Sequence, residues 1–124
     1  MNFKVILLIL LSVLLSAIAQ IILKVGMSST NIQQAIATAT VSTVFHSIMT
    51  NIYVIGGLTL YFSSAAVWLF VLAKVDVSFA YPFVGLGFIL TMLLAYFING
   101  EALSMTKVAG TLCIAIGIAI IARG

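Results

Sequence analysis

Apolar residues run through this chain in four blocks, over about 3–23, 51–72, 77–98 and 103–122. Each block has roughly the 20 residues that a helix needs to cross the hydrocarbon core of a bilayer. Polar punctuation between them is short. Lys74-Val75-Asp76 divides the second block from the third, and Asn99-Gly100-Glu101 the third from the fourth. Asn-Gly is a strong turn pair because both residues tolerate positive φ. Such short links make consecutive spans antiparallel neighbours. The pattern predicts an all-α integral membrane fold with four transmembrane helices in a single membrane domain, 1–124.

The first connection, residues 28–50, is different. It is rich in Ser, Thr, Gln and Ala, with apolar residues at Ile32, Ile36, Val41, Val44, Phe45 and Ile48. Thr30-Asn31-Ile32-Gln33 fits a capping box at a helix start. The expectation is a short amphipathic helix at the membrane surface, running into the second span. An irregular loop is the alternative. The N-terminal block also has the outline of a secretory signal peptide, with Lys4, an apolar stretch and Ala17-Ile18-Ala19 before Gln20. Apolar character resumes at Ile21-Ile22-Leu23, so the segment is expected to remain as a span.

Within the first span, Ser12, Ser16, Gln20 and Lys24 recur every four residues, whereas the rest of 5–23 is aliphatic or Ala. Side chains four apart stack along one helix face, which predicts a polar stripe turned towards other helices or water. With Lys24 near the far edge of the core, Gln20 lies about 6 Å deeper and Ser16 about 12 Å deeper. The stripe is thus a candidate groove, charged at its mouth and mildly polar near the middle. Lys24 as a snorkelling interfacial lysine, and the other three as interhelical hydrogen-bonding groups, are the plainer alternatives. In the third span Ala80-Tyr81-Pro82-Phe83 holds the sole proline, which predicts either a kinked or locally opened backbone lining a cavity with Tyr81, or an ordinary proline in the first turns of a helix with Tyr81 in the interfacial aromatic belt. Ser63 and its neighbours offer further hydroxyls from the second span. In the fourth, Gly110, Cys113 and Gly117 belong to a small-residue pattern that allows close helix approach, which predicts a dimer contact or, with the same residues, packing within one bundle.

Composition narrows the function. Of 124 residues, 65% are apolar and 6% charged, where soluble domains carry about a quarter charged. Mean hydropathy is +1.39. Soluble enzymes, nucleic-acid binders and disulfide scaffolds are excluded. With one Cys and one His, neither an internal disulfide nor a structural metal site is expected, and no cofactor is implied. No catalytic constellation appears. Lys4, Lys74 and Arg123 on one side against Lys24 and Lys107 on the other predict both termini in the cytoplasm. Asp76 and Glu101 precede predicted helices, where carboxylates favour the positive end of the dipole. His46 is expected at the surface.

Two stretches carry a family resemblance: Ser16-Ala17-Ile18-Ala19-Gln20-Ile21-Ile22-Leu23-Lys24, and Trp68-Leu69-Phe70-Val71-Leu72 through Asp76-Val77-Ser78-Phe79-Ala80-Tyr81-Pro82. With Gly100-Glu101-Ala102-Leu103 and the small residues from Gly110 to Gly117, the chain resembles the four-helix branch of the drug/metabolite transporter superfamily. Small multidrug-resistance exporters share its length and first-helix lysine. Their hallmark is a membrane-embedded glutamate eight residues before that lysine, where this chain has Ser16. Flippase subunits for aminoarabinose-phosphoundecaprenol are similar in having serine eight before and glutamine four before the lysine, and in the Ala-Tyr-Pro stretch. The loop 28–50 departs from both groups.

The resemblance implies a transporter of the bacterial inner membrane, flippase-type, for a polyprenyl-phosphate-linked sugar or similar anionic lipid. It also implies a homodimer or a heterodimer with a similar four-helix chain. The expected substrate contacts are Ser12, Ser16, Gln20, Lys24, Ser63, Tyr81 and Pro82. An exporter of organic cations, which would have to use Asp76 or Glu101, and a non-transporting subunit of a glycosylation complex are the alternatives.

Overall fold

The computed structural model describes residues 3–38 and 40–123 and is all-α. Helix α1 (Phe3–Met27) is followed by two short helices, α2 (Thr30–Thr38) and α3 (Val41–Met49), and by α4 (Ile52–Leu72). Next, α5 (Val77–Ala80) passes through a 3-10 turn at Tyr81–Phe83 into α6 (Val84–Asn99), and α7 (Met105–Arg123) follows. Four stretches are long and apolar enough to cross a membrane: Phe3–Met27, Ile52–Leu72, Val77–Asn99 and Met105–Arg123. At 1.5 Å per residue they are roughly 28–38 Å long, enough for a core of about 30 Å with some tilt.

Small residues set the main packing. On α1, Ser12, Ala19 and Gly26 recur every seven residues and are buried; on α4, Gly57, Ser64 and Val71 do the same. A period of seven keeps one seam in register between two helices crossing at a shallow angle. The antiparallel pairing follows: Ser12 meets Ser64, Ala19 meets Gly57, and Gly26 meets the start of α4. A Cβ on Gly57 would lie 2.7 Å from Leu23 Cγ and 3.2 Å from the Ala19 carbonyl oxygen. One on Gly26 would lie 2.7 Å from Val54 Cγ2. Hydrocarbon offers no hydrophobic drive between helices, so close packing of this kind is what holds them together.

Asn51 fixes the top of the seam. Its Oδ1 accepts the backbone N–H groups of Tyr53 (2.9 Å) and Val54 (3.1 Å), capping α4. Its Nδ2 donates to the Gly26 carbonyl (3.4 Å) and the Ser29 hydroxyl (3.3 Å), tying that cap to the end of α1. At the other end, Val5, Ile9, Val13, Val71 and Ala80 form a buried cluster against which Trp68 and Phe83 pack. Helix α6 lies against both α1 and α7. Gly87 faces Val13 on one side, and buried Gly85 admits Ile114 and Ile118 on the other.

Several local features differ from expectation. The first connection holds two short helices instead of one, and the cap of α2 is Ser29, one residue before the predicted Thr30. The Ser29 hydroxyl accepts from Ile32 N–H at 3.4 Å, while the Gln33 amide donates back to the Met27 carbonyl at 2.7 Å. Ile32 and Ala35 anchor α2, whereas α3 buries nothing and turns Val41, Phe45 and Met49 outward as an apolar ridge. Pro82 does not open the backbone. Residues Ala80 to Val84 keep helical dihedrals, and the missing amide is absorbed in the single 3-10 turn. Helix α6 ends at Gly100, whose φ of 71° lies in the left-handed region that glycine adopts most cheaply. His46 is exposed.

Candidate functional site

Helices α4 and α6 both pack on α1, and a groove remains between them with α1 as its floor. Its inner part is a cavity of about 210 Å³, lined by Ser12, Val13 and Ser16 of α1, Tyr61, Ser64, Ala65 and Trp68 of α4, and Tyr81, Val84 and Gly87. Its outer part, about 530 Å³, shares Ser16, Tyr61, Val84 and Gly87 and adds Gln20, Phe88, Thr91, Met92, Ala95 and Glu101. A third hollow of about 290 Å³ continues from Met92, Ala95 and Glu101 to Thr106, Lys107, Gly110 and Thr111. A mainly apolar path with polar side chains spaced along it therefore runs from Ser12 to the turn that carries Glu101.

The first-span stripe supplies the floor, though not as one face. Four residues of α-helix turn about 40° past a full turn, so Ser12 and Lys24 differ by about 120° around α1. Ser12 is 4% exposed and faces α4, where its hydroxyl donates to the Ser64 carbonyl at 2.9 Å. The Ser64 hydroxyl is 3.5 Å away. Ser16, half-buried, lines both cavities, and Gln20 lines the outer one. Lys24 is exposed and lines neither cavity.

Of the other expected contacts, Tyr81 lines the inner cavity from the third span. Pro82 faces away, into a hollow between α6 and α7 with Gly85, Ile114 and Gly117. Ser63 donates to the Thr59 carbonyl on its own helix at 3.0 Å, and its neighbour Ser64 takes the groove position. The structure thus brings together Ser12, Ser16, Gln20 and Tyr81, and leaves Lys24, Pro82 and Ser63 outside these two cavities. On α7, Gly110 and Gly117 have no described atom within 4 Å of an added Cβ, and Cys113 is exposed.

Two polar lining residues, Thr91 and Glu101, stand outside the contacts expected for an anionic lipid. Thr91 lies four residues after Gly87, on the same face of α6, a spacing that could have exposed it. Glu101 was assigned to the start of the last helix, but that helix begins at Met105 with Ser104 as its cap. The Ala95 carbonyl accepts the N–H groups of Gly100 and Glu101, the latter at 3.2 Å, which folds the turn back over α6 and sets Glu101 at the groove. Asp76 is the N-cap residue of α5, its backbone carbonyl accepting from Phe79 and Ala80, while its carboxylate makes no cap hydrogen bond.

Comparison with known proteins gives partial matches of one kind. The chain is 40% identical over 58 residues to "Probable 4-amino-4-deoxy-L-arabinose-phosphoundecaprenol flippase subunit ArnE" of Pseudomonas paraeruginosa, covering 47% of this chain and 50% of that protein. Proteins of the same name from two strains of Pseudomonas aeruginosa are 39% identical over 56 residues, 45% of this chain and 49% of each. The chain spans about half the length of the curated relatives it matches. No family model matches, and no solved structure does. These relatives are named as flippase subunits and not as enzymes. Four apolar helices of spanning length, with such relatives in Pseudomonas, make the chain a multi-pass protein of the bacterial inner membrane.

Proposed function

We propose that this chain is a flippase-type transporter subunit that moves a polyprenyl-phosphate-linked sugar, or a similar anionic lipid, across the inner membrane. The observation that carries the reading is the groove between α4 and α6, whose largely apolar lining is studded with Ser16, Gln20, Tyr61, Tyr81, Thr91 and Glu101. A lipid's tail stays in the bilayer while its headgroup travels along such a groove, so only headgroup desolvation must be offset. Ser16, the Gln20 amide, Tyr61 and Thr91 hydrogen-bond the sugar, and Tyr81 lines the deeper end. Lys24, one turn beyond Gln20, pairs with the phosphate where the headgroup enters. Both termini being cytoplasmic, the Glu101 mouth opens to the periplasm.

The face of α7 that carries Gly110, Cys113 and Gly117 receives a second four-helix chain, identical or similar, and completes a cavity that one bundle leaves open. This part draws on the space around both glycines and on the relatives being named as subunits. The cation-exporter alternative gains one observation, the carboxylate of Glu101 at the groove, but that group is exposed at the mouth and not embedded within it.

Native mass spectrometry of the purified protein separates the two. Undecaprenyl phosphate is expected to be retained in preference to a quaternary ammonium cation, with weaker retention in Gln20→Leu and Lys24→Ala. Cation binding indifferent to both substitutions, with no preference for the phosphate lipid, would overturn the proposal.

A further inference from the structure

The connection between the first two spans carries a helix face that the bundle does not cover. Helix α3 is nine residues long. At about 100° per residue its apolar side chains, Val41, Val44, Phe45, Ile48 and Met49, fall on one side, and Ser42, Thr43, His46 and Ser47 on the other. Val44 and Ile48 are half-buried, and α3 touches α2 and α4. Val41, Phe45 and Met49 make the outer edge of the same face and are 86%, 65% and 46% exposed. Water-facing helices set charged residues opposite their apolar side. Residues 28–50 contain no Lys, Arg, Asp or Glu.

What covers the ridge follows from where α3 ends. Only Thr50 and Asn51 separate it from α4, and Asn51 is extended (φ −82°, ψ 123°), so α3 leaves the axis of the span. The bonds from the Asn51 amide to Gly26 and Ser29 hold that junction at the end of α1. Helix α4 has 21 residues and reaches about 31 Å, the thickness of the hydrocarbon core, which puts Met49 at the core's boundary. Exposed Ile52 and Tyr53 follow within four residues, on a span whose outer surface the bilayer covers.

We infer that α3 is an interfacial helix that docks on the bilayer surface through Val41, Phe45 and Met49 without help from charge. Its neighbour α2 is held by the protein instead, through buried Ile32 and Ala35 and the Gln33 bond to the Met27 carbonyl. A helix with a basic polar face draws on anionic lipid. The polar face of α3 offers hydroxyls and one imidazole, so its docking rests on apolar insertion at the acyl boundary and is the same on a neutral or an anionic leaflet. The inference is independent of what the bundle transports.

Site-directed fluorescence of the full chain in vesicles tests it. In a Cys113→Ser background, an environment-sensitive label is placed at Val41→Cys, Phe45→Cys, Thr43→Cys or His46→Cys, all exposed positions. Nitroxide-bearing lipid should quench the first two labels several-fold more strongly than aqueous iodide does, and the order should reverse at the other two. The pattern should be the same in phosphatidylcholine and in vesicles containing phosphatidylglycerol. Phe45→Glu should make the label at Val41→Cys accessible to iodide while the helix content of the chain is unchanged. Three results would each overturn the inference: iodide reaching all four labels, shielding of Val41→Cys and Phe45→Cys from both quenchers by a second copy or another protein, and lipid quenching that requires phosphatidylglycerol.

Discussion

Two adjacent glycines on α4 give a direct measure of the seam that holds α1 in place. A Cβ on Gly56 would meet no described atom within 4 Å, whereas one on Gly57 would sit 2.7 and 2.8 Å from Leu23 Cγ and Cδ2 and 3.2 Å from the Ala19 carbonyl oxygen. Alanine at either site gains helix propensity, about 1 kcal/mol relative to glycine. At Gly56 that gain should appear whole. At Gly57 it is opposed by an overpacking cost of about 1–3 kcal/mol, because Ala19 is fully buried and its backbone cannot retreat. The net effect of Gly57→Ala is therefore near zero to about 2 kcal/mol destabilising. The difference between the variants, which cancels propensity, isolates the seam at about 1–3 kcal/mol. Reversible unfolding in mixed micelles, followed by circular dichroism, reads that difference. Gly56→Ala and Gly57→Ala of equal stability would refute the close approach of α1 and α4 at this point.

Other outcomes follow from the same contacts. Ser12→Ala removes the bond to the Ser64 carbonyl and should lower stability by about 0.6 kcal/mol, an average value for an interhelical membrane hydrogen bond. Its affinity for undecaprenyl phosphate should stay within about twofold; a larger loss in binding than in stability would make Ser12 a substrate contact instead of a fastening. Asn51→Ala loses the α4 cap and the tie to Gly26 together, and should cost about 1 kcal/mol or slightly more in the same unfolding assay. No loss there would mean that the two helix ends are held by packing alone.

The four spans were legible because an apolar run of spanning length has few alternatives in a chain with so little charge. The groove was legible only in outline. Stepping along the first span by fours joined Ser12 to Lys24 as one stripe, but helical rotation carries its members from the α4 interface, through the cavity, to the exposed end. Stepping by sevens would have joined Ser12, Ala19 and Gly26 and, facing them, Gly57 and Ser64, which is the seam itself. That repeat is hidden in a membrane sequence, since alanine and glycine are common there and carry no polar contrast. Glu101, named only for the exporter alternative, was misplaced for a different reason. A carboxylate shortly before an apolar run suggests a helix start, and nothing local shows that residues 100–104 stay outside the helix and fold back over α6. Of the two readings open for Pro82, the opened backbone fails and the proline in the first turns of a helix holds, with one tight turn absorbing its missing amide.

The central claim is that the gap between α4 and α6 is a water-accessible path for a lipid headgroup, and thiol labelling tests it most directly. Cys113 is the chain's only cysteine, so Cys113→Ser provides a silent background for single cysteines at Ser16, on the groove floor, and at Leu14, on the exposed outer face of α1. In proteoliposomes, Ser16→Cys should react with a hydrophilic maleimide and be protected by undecaprenyl phosphate, while Leu14→Cys stays unreactive with or without the lipid. Labelling of neither site, or labelling at Ser16→Cys that the lipid does not slow, would contradict the groove as a headgroup path.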